Sequence, residues 1–210
     1  MQVSLAVEGV SDLPIARRLV ESAGLEVSGA FQKQGKDALN ARIPGYNRAA
    51  ALQPWLVLRD LDHDAPCAPA LVARLLPTPA PGMCLRVAVR AAEAWLLADR
   101  VAIADFLAVA ASRIPPAPDG LEDPKLTLVA LASSSRRRAI REDIVPEPGK
   151  TAKVGPGYVS RITQFCEEGW DPKRAAVASP SLSSALEALT RLRLFRVDVG
   201  GGRAQAGPRV

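Results

Sequence analysis

Val3-Ser4-Leu5-Ala6-Val7-Glu8-Gly9-Val10-Ser11-Asp12 and Trp55-Leu56-Val57-Leu58-Arg59-Asp60-Leu61-Asp62-His63-Asp64 repeat one pattern: a short apolar run that ends in carboxylates. Runs of this length read as buried strands, so the acidic groups fall where strands end. Carboxylates gathered there repel one another and resist burial unless a cation neutralises them. The usual cation is Mg²⁺, which takes a few carboxylate oxygens, keeps several waters and binds the phosphates of a substrate. Metal-dependent phosphoryl chemistry is therefore the first expectation.

The chain between and after these runs alternates strand and helix signals. Ser11 is placed to cap a helix with Pro14 in its first turn, and Ile15, Leu19 and Val20 share one face up to Gly24. Residues 25–31 read as a second strand and 36–51 as helix, interrupted at Pro44-Gly45. The third strand, 55–58, is followed by a helix over 68–76, a proline-rich stop at 77–82, a fourth strand over 84–89 and a short helix over 91–97. This order predicts an α/β, Rossmann-like core of four mainly parallel strands with both faces covered. Ligands of such sheets bind beyond the carboxyl ends of the strands, the edge that carries both acidic clusters.

Beyond residue 100 the character changes. Helical patterns cover 101–111, 125–134, 159–165 and 181–195, broken by a proline-rich stretch at 114–119 and a Gly/Pro/Lys-rich loop at 146–157. The expected organisation is an α/β catalytic domain over 1–100, a mainly helical appendage over 101–197, and a disordered tail over 198–210. With 210 residues the chain is long enough to bury a full core. Its net charge of +5 around an acidic cluster suits an anionic substrate. The three cysteines are widely spaced, which argues against a zinc site or a disulfide framework. Glu8 and Asp12 break up the N-terminal apolar stretch, unlike a secretory signal, and no apolar run is long enough to span a bilayer. A cytoplasmic location with no membrane partner is expected.

In an extended segment, residues i, i+2 and i+4 point to one side. Asp60, Asp62 and Asp64 would then face one ion, with His63 turned away, and Glu8 would complete the site across the sheet. Glu93, shortly after the fourth strand, adds a further carboxylate. Such a set would hold one Mg²⁺ or Mn²⁺, or two ions roughly 4 Å apart that clamp both oxygens of a phosphodiester. Asp12 and Asp99 read instead as helix caps or solvated turns. A phosphatase that uses an aspartate nucleophile after its first strand is excluded, because Glu8 stands there, and a P-loop ATPase is excluded by the lack of GxxxxGK[ST].

The Glu8-Gly9-Val10-Ser11-Asp12 segment after strand 1, followed by Asp60-Leu61-Asp62 after strand 3, resembles the TOPRIM domain of topoisomerases, bacterial primases, small ribonuclease-like proteins and OLD-type nucleases. The resemblance covers residues 1–100. It implies that Glu8 is a general acid/base or metal ligand and that Asp60 and Asp62 bind metal. The stretch Val87-Ala88-Val89-Arg90 to Glu93-Ala94-Trp95-Leu96-Leu97-Ala98-Asp99 further resembles an uncharacterised bacterial TOPRIM-like family, whose members often stand beside an ATPase partner in presumed anti-phage loci. Glu93 matches an additional acidic position of OLD-type nucleases more loosely. The chain lacks the tyrosine-bearing gate of topoisomerases and the template modules of primases. What remains is hydrolysis of a nucleic-acid phosphodiester, with DNA ahead of RNA. The rival readings are a catalytically inactive binding or regulatory subunit and a metal-dependent enzyme on a small phosphate.

Basic residues are candidates for the phosphate backbone: Arg136, Arg137, Arg138 and Arg141 as the densest run, Lys150 and Lys153 in the 146–157 loop, and Arg90 beside the carboxylates. For the arginine run, a solvated helix end favoured by the macrodipole is the competing reading, and for Lys150 and Lys153 it is a flexible surface lysine. Arg59 and Arg90 balance the acidic charge or touch substrate. Tyr46, Tyr158 and Trp95 read as packing residues.

Overall fold

Four strands, β1 (Gln2–Val7), β2 (Glu26–Gln32), β3 (Trp55–Asp60) and β4 (Met83–Ala88), form a single sheet in the order β2-β1-β3-β4, and every pairing is parallel. The computed structural model describes residues 1–194. The expected tail at 198–210, and the last residues assigned to the helical appendage, lie outside them. Strands β1 and β3 are interior and nearly all apolar, as strands covered on both faces must be. Strand β2 is an edge, and its mixed Glu-Val-Ser-Gly-Ala-Phe-Gln sequence is correspondingly exposed.

Eleven α-helices follow the chain among the described residues: α1 (Asp12–Ser22), α2 (Lys36–Asn40), α3 (Ile43–Ala49), α4 (Ala68–Leu75), α5 (Glu93–Ala98), α6 (Arg100–Leu107), α7 (Pro124–Ser133), α8 (Arg138–Ile144), α9 (Tyr158–Glu168), α10 (Pro172–Ala175) and α11 (Pro180–Leu192). Helix α1 buries Ile15, Ala16, Leu19 and Val20 against Val3, Leu5 and Val7. The same core continues through Trp95 of α5 and Trp170 into α7, α9 and α11, so the helices after residue 100 share the apolar interior of one sheet face. The opposite face packs Ala6, Val57 and Leu85 against Leu39 and Ile43. There Trp55 stacks between Tyr46 and Phe31, at ring separations of 4.6 and 5.4 Å.

Several local readings change. The helical stretch over 36–51 breaks at Ala41-Arg42, not at Pro44-Gly45; Pro44 sits in the first turn of α3, where its missing N–H costs no hydrogen bond. Asp99 does precede α6, but its carboxylate makes no cap bond. It is buried and grips Arg174 of α10 through two bonds of 2.6 Å, which fastens the C-terminal helices to α5. The loop over 146–157 is anchored: the N–H groups of Gly155 and Gly157 donate to the Ile144 and Asp143 carbonyls. A Cβ at Gly155 would meet the Asp143 carbonyl oxygen at 2.5 Å, so only glycine allows that approach. Cys67, Cys84 and Cys166 are all unpaired. No described helix is long and apolar enough to cross a membrane.

Candidate functional site

The carboxyl ends of β1 and β3 lie side by side, with Val7 opposite Leu58, which brings Glu8 next to the end of β3. Four carboxylates then converge, from Glu8, Asp12, Asp60 and Glu93. Asp60, the last residue of β3, accepts a hydrogen bond from the Ala92 N–H at 2.9 Å, just before α5. Burial, and after it the charges of Asp12, Glu93 and Glu8, push the Asp60 carboxyl well above its ordinary range. Burial and Glu93 push Asp12 up to about 6. Glu8 is raised by burial, against the opposing pull of Arg59.

Asp12 reads from the sequence as a cap, and locally it does act on its own turn: its carboxylate accepts from the Gly9 N–H at 2.8 Å, while the Ser11 hydroxyl donates to it. Ser11, the expected cap of α1, makes no cap bond. The tertiary fold sets Asp12 among the other acids, which its position at a helix start does not reveal. Glu93 is fully buried. One of its oxygens accepts from the Tyr158 hydroxyl at 2.8 Å and pairs with Lys125 Nζ at 3.1 Å. Burial works to lower the Lys125 ammonium, but its pairing with Glu93 prevails and raises it. Tyr158 is raised by burial and by Glu93, so its hydroxyl remains a donor.

Asp62 and Asp64 do not extend the row. The strand ends at Asp60, and Asp62 takes a left-handed conformation with φ of 48°. The alternation that would turn Asp60, Asp62 and Asp64 to one ion is therefore absent. Asp64 is bound by Lys36 at 2.8 Å and by the Arg59 guanidinium, and Asp62 lies 3.4 Å from Lys36 and 3.5 Å from Arg59. Those bonds, Lys36 first, hold the Asp64 carboxyl below its usual range. Arg59 has no exposed surface. Its guanidinium also donates to the Asp60 carbonyl and to Asn40 Oδ1, and comes within 3.3 Å of Glu8. His63 is exposed.

Of the four converging carboxylates, Glu8 and Asp60 line a cavity of about 760 Å³ between the sheet edge and the helical region, whose acidic lining also includes Asp62, Asp64, Glu122 and Asp123. Cations stand on both sides: Lys36 and Arg90 from the sheet side, Lys125 and Lys153 from the helical side. The Arg90 guanidinium donates to the Asp62 carbonyl at 2.7 Å. The remaining basic candidates are elsewhere. Arg137 donates to the Phe106 carbonyl, Arg138 pairs with Glu142, Arg141 donates to the Ser135 carbonyl, and Lys150 pairs with Glu147. Arg136 does not line the cavity either. Arg137 and Arg138 begin α8, where the macrodipole does not favour them, whereas Arg141 lies in its last turn, where it does.

Besides Asp12, sequence reasoning missed Lys125 and the polar role of Tyr158 at the site. Lys125 and Tyr158 come from the helical region, and their signal was polarity next to a buried face.

Among the described residues, no group of three or more His, Cys, Asp or Glu side chains stands ready-arranged to hold a metal. The donor chemistry nevertheless fits a hard divalent cation. Glu8 Oε2 and Glu93 Oε2 are buried without a hydrogen-bond partner, and Asp60 with the three acids near it outnumbers Arg59 and Lys125. Mg²⁺ characteristically needs only one or two carboxylates and keeps its waters, so a sparse oxygen set suffices. No protein-family model, curated protein or solved structure matches this chain.

Proposed function

We propose that this protein is a Mg²⁺- or Mn²⁺-dependent nuclease that hydrolyses a nucleic-acid phosphodiester, DNA ahead of RNA, at the carboxyl edge of β1 and β3. The observation that carries the reading is the crowding of Glu8, Asp12 and Glu93 around Asp60, at a cavity lined by Lys36, Arg90, Lys125 and Lys153 together with Asp62, Asp64, Glu122 and Asp123. Carboxylates crowded in this way take up a proton or a cation, and the proposed occupant is the cation.

Glu8 and Asp60 are the residues that would hold the ion, with Asp12 and Glu93 supplying the field behind them. When bound, the ion supplies Lewis acidity toward a phosphoryl oxygen and a more acidic water. Glu8, with its raised proton affinity, takes and returns a proton at its carboxylate. Lys125, Lys153 and Arg90 bind phosphate oxygens from both walls. Tyr158 and Lys125 fix the Glu93 carboxylate, so the helical region is part of the site. Control by an ATPase partner and a role in phage defence rest on the TOPRIM resemblance alone.

A second reading, an enzyme acting on a small phosphate ester, is favoured by the size and two-sided walls of the cavity, which match a nucleotide-sized ligand. The test is incubation of purified protein with supercoiled plasmid, single-stranded DNA, RNA and free nucleotides, in Mg²⁺, Mn²⁺ or chelator. Polymer cleavage that needs the cation and is lost in Glu8→Ala and Asp60→Ala supports the nuclease. Turnover of free nucleotides alone selects the second reading. Cleavage unchanged in both variants overturns the assignment.

A further inference from the structure

The outer edge of β4 lies in a groove of about 750 Å³ between α4 and the start of α11. Strand β4 is the last of the sheet. The Trp55 N–H donates to the Gly82 carbonyl and the Leu61 N–H to the Ala88 carbonyl, so the even-numbered residues of β4 turn their main-chain groups toward β3. The N–H and C=O of Leu85 and Val87 therefore point outward, where no hydrogen bond from another described residue reaches them. Both residues are at most 5% exposed, so these polar groups sit in a sheltered place where leaving them unpaired is costly.

The two walls differ. Leu61, Pro69 and Val72 make one apolar side; Arg86, Ser181 and Ser184 make the other polar. Arg86 Nε is buried and has no hydrogen-bond partner. Asp119 also lines the groove, but its carboxylate already accepts from the Ser179 hydroxyl and the Ser181 N–H. Arg90 lines both this groove and the cavity of the carboxylates.

We propose that the groove receives an extended acidic peptide of a partner protein as a fifth strand on β4. A strand turns alternate side chains to opposite faces. One set would meet Leu61 and Val72 and must be apolar; the other would meet Arg86 and must be acidic. The peptide main chain pairs with Leu85 and Val87, as in other strand additions to an open edge. This inference does not depend on the nuclease reading.

The probe is a fluorescein-labelled Val-Glu-Val-Glu-Val-Glu peptide titrated into the full chain, read by anisotropy and by amide hydrogen exchange. The expected result is saturable binding, with slowed exchange at Leu85 and Val87. Replacing Glu by Lys, N-methylating alternate peptide bonds, or making Arg86→Gln should each weaken binding by roughly tenfold or more. Alkylating the exposed Cys67 at the groove with a bulky maleimide should block it, and Glu8→Ala should bind normally. No binding, equal binding of the N-methylated peptide, or protection at another site would overturn the proposal. So would Leu85 and Val87 already protected in the free chain and released by truncation after Leu194, since the occupant would then be residues 195–210 of the chain itself.

Discussion

Asp60 and Asp64 stand four residues apart on one segment, yet the fold treats their charges in opposite ways. Asp64, with Asp62, is matched by the buried Arg59 guanidinium and by Lys36, and its carboxyl is held below its usual range. Asp60 faces Glu8, Asp12 and Glu93, and is pushed well above it. The first pair forms a structural clamp that ties α2 to the end of β3. The second group holds more carboxylates than the cations beside it, Lys125 at Glu93 and Arg59 at Glu8, can match, and such crowding is what a cation or a proton would answer. The lesson is that a D-x-D motif does not by itself say which aspartate is available for chemistry; the neighbouring cations decide.

The largest expected effect separates the two groups by activity. In a cleavage assay, Asp60→Asn should lower the rate by roughly 10²–10⁴-fold, the scale of losing a charge made for the transition state. Asp64→Asn should cost only a few-fold, and equal losses would erase the distinction between them. Stability should behave in the reverse order. Arg59→Ala leaves Glu8, Asp62 and Asp64 facing one another beside an empty buried site, and should cost about 3–5 kcal/mol in denaturant unfolding. A cost below about 1 kcal/mol would mean that the clamp is not holding the loop.

The pH dependence is a finer probe. Asp12 rises from its ordinary range to about 6 on folding, so the native state holds its proton more tightly than the unfolded chain. Its favourable contribution is complete below about pH 4 and is lost as pH rises through about 6. Asp12→Asn should therefore flatten the fall in metal-free stability across that window, by up to about 3 kcal/mol. Unchanged curves for the wild type and the variant would show that Asp12 is not strained by its neighbours. The smallest expected effect is Tyr158→Phe, which removes one hydrogen bond to Glu93 and should cost about 1 kcal/mol, with a modest loss of rate.

Much of this arrangement could be read along the chain, and the reason is local. Apolar runs ending in Glu8 and Asp60 announce buried strands with acids at their ends, and parallel order brings those ends together. The strand–helix alternation likewise made the four-stranded parallel sheet legible. The illegible part depends on contacts distant in sequence. Asp12 at the first position of α1 looks like any N-terminal acid until Glu93 is packed near it. Lys125 and Tyr158 lie far downstream and reach Glu93 only because α7 and α9 share the apolar core of the sheet. The extended alternation expected of Asp60, Asp62 and Asp64 failed for a different reason: the strand stops at Asp60, and the left-handed turn at Asp62 redirects the backbone on its way to Asp64.

The proposed cation site requires that Asp60, and not the Lys36- and Arg59-bound Asp64, be available to the ion. Calorimetric titration of Mn²⁺ at neutral pH into the wild type, Asp60→Asn and Asp64→Asn tests that requirement most directly. Binding by the wild type and by Asp64→Asn, with binding lost in Asp60→Asn, is the predicted result. Retention in Asp60→Asn with loss in Asp64→Asn, or no binding by the wild type, would contradict it.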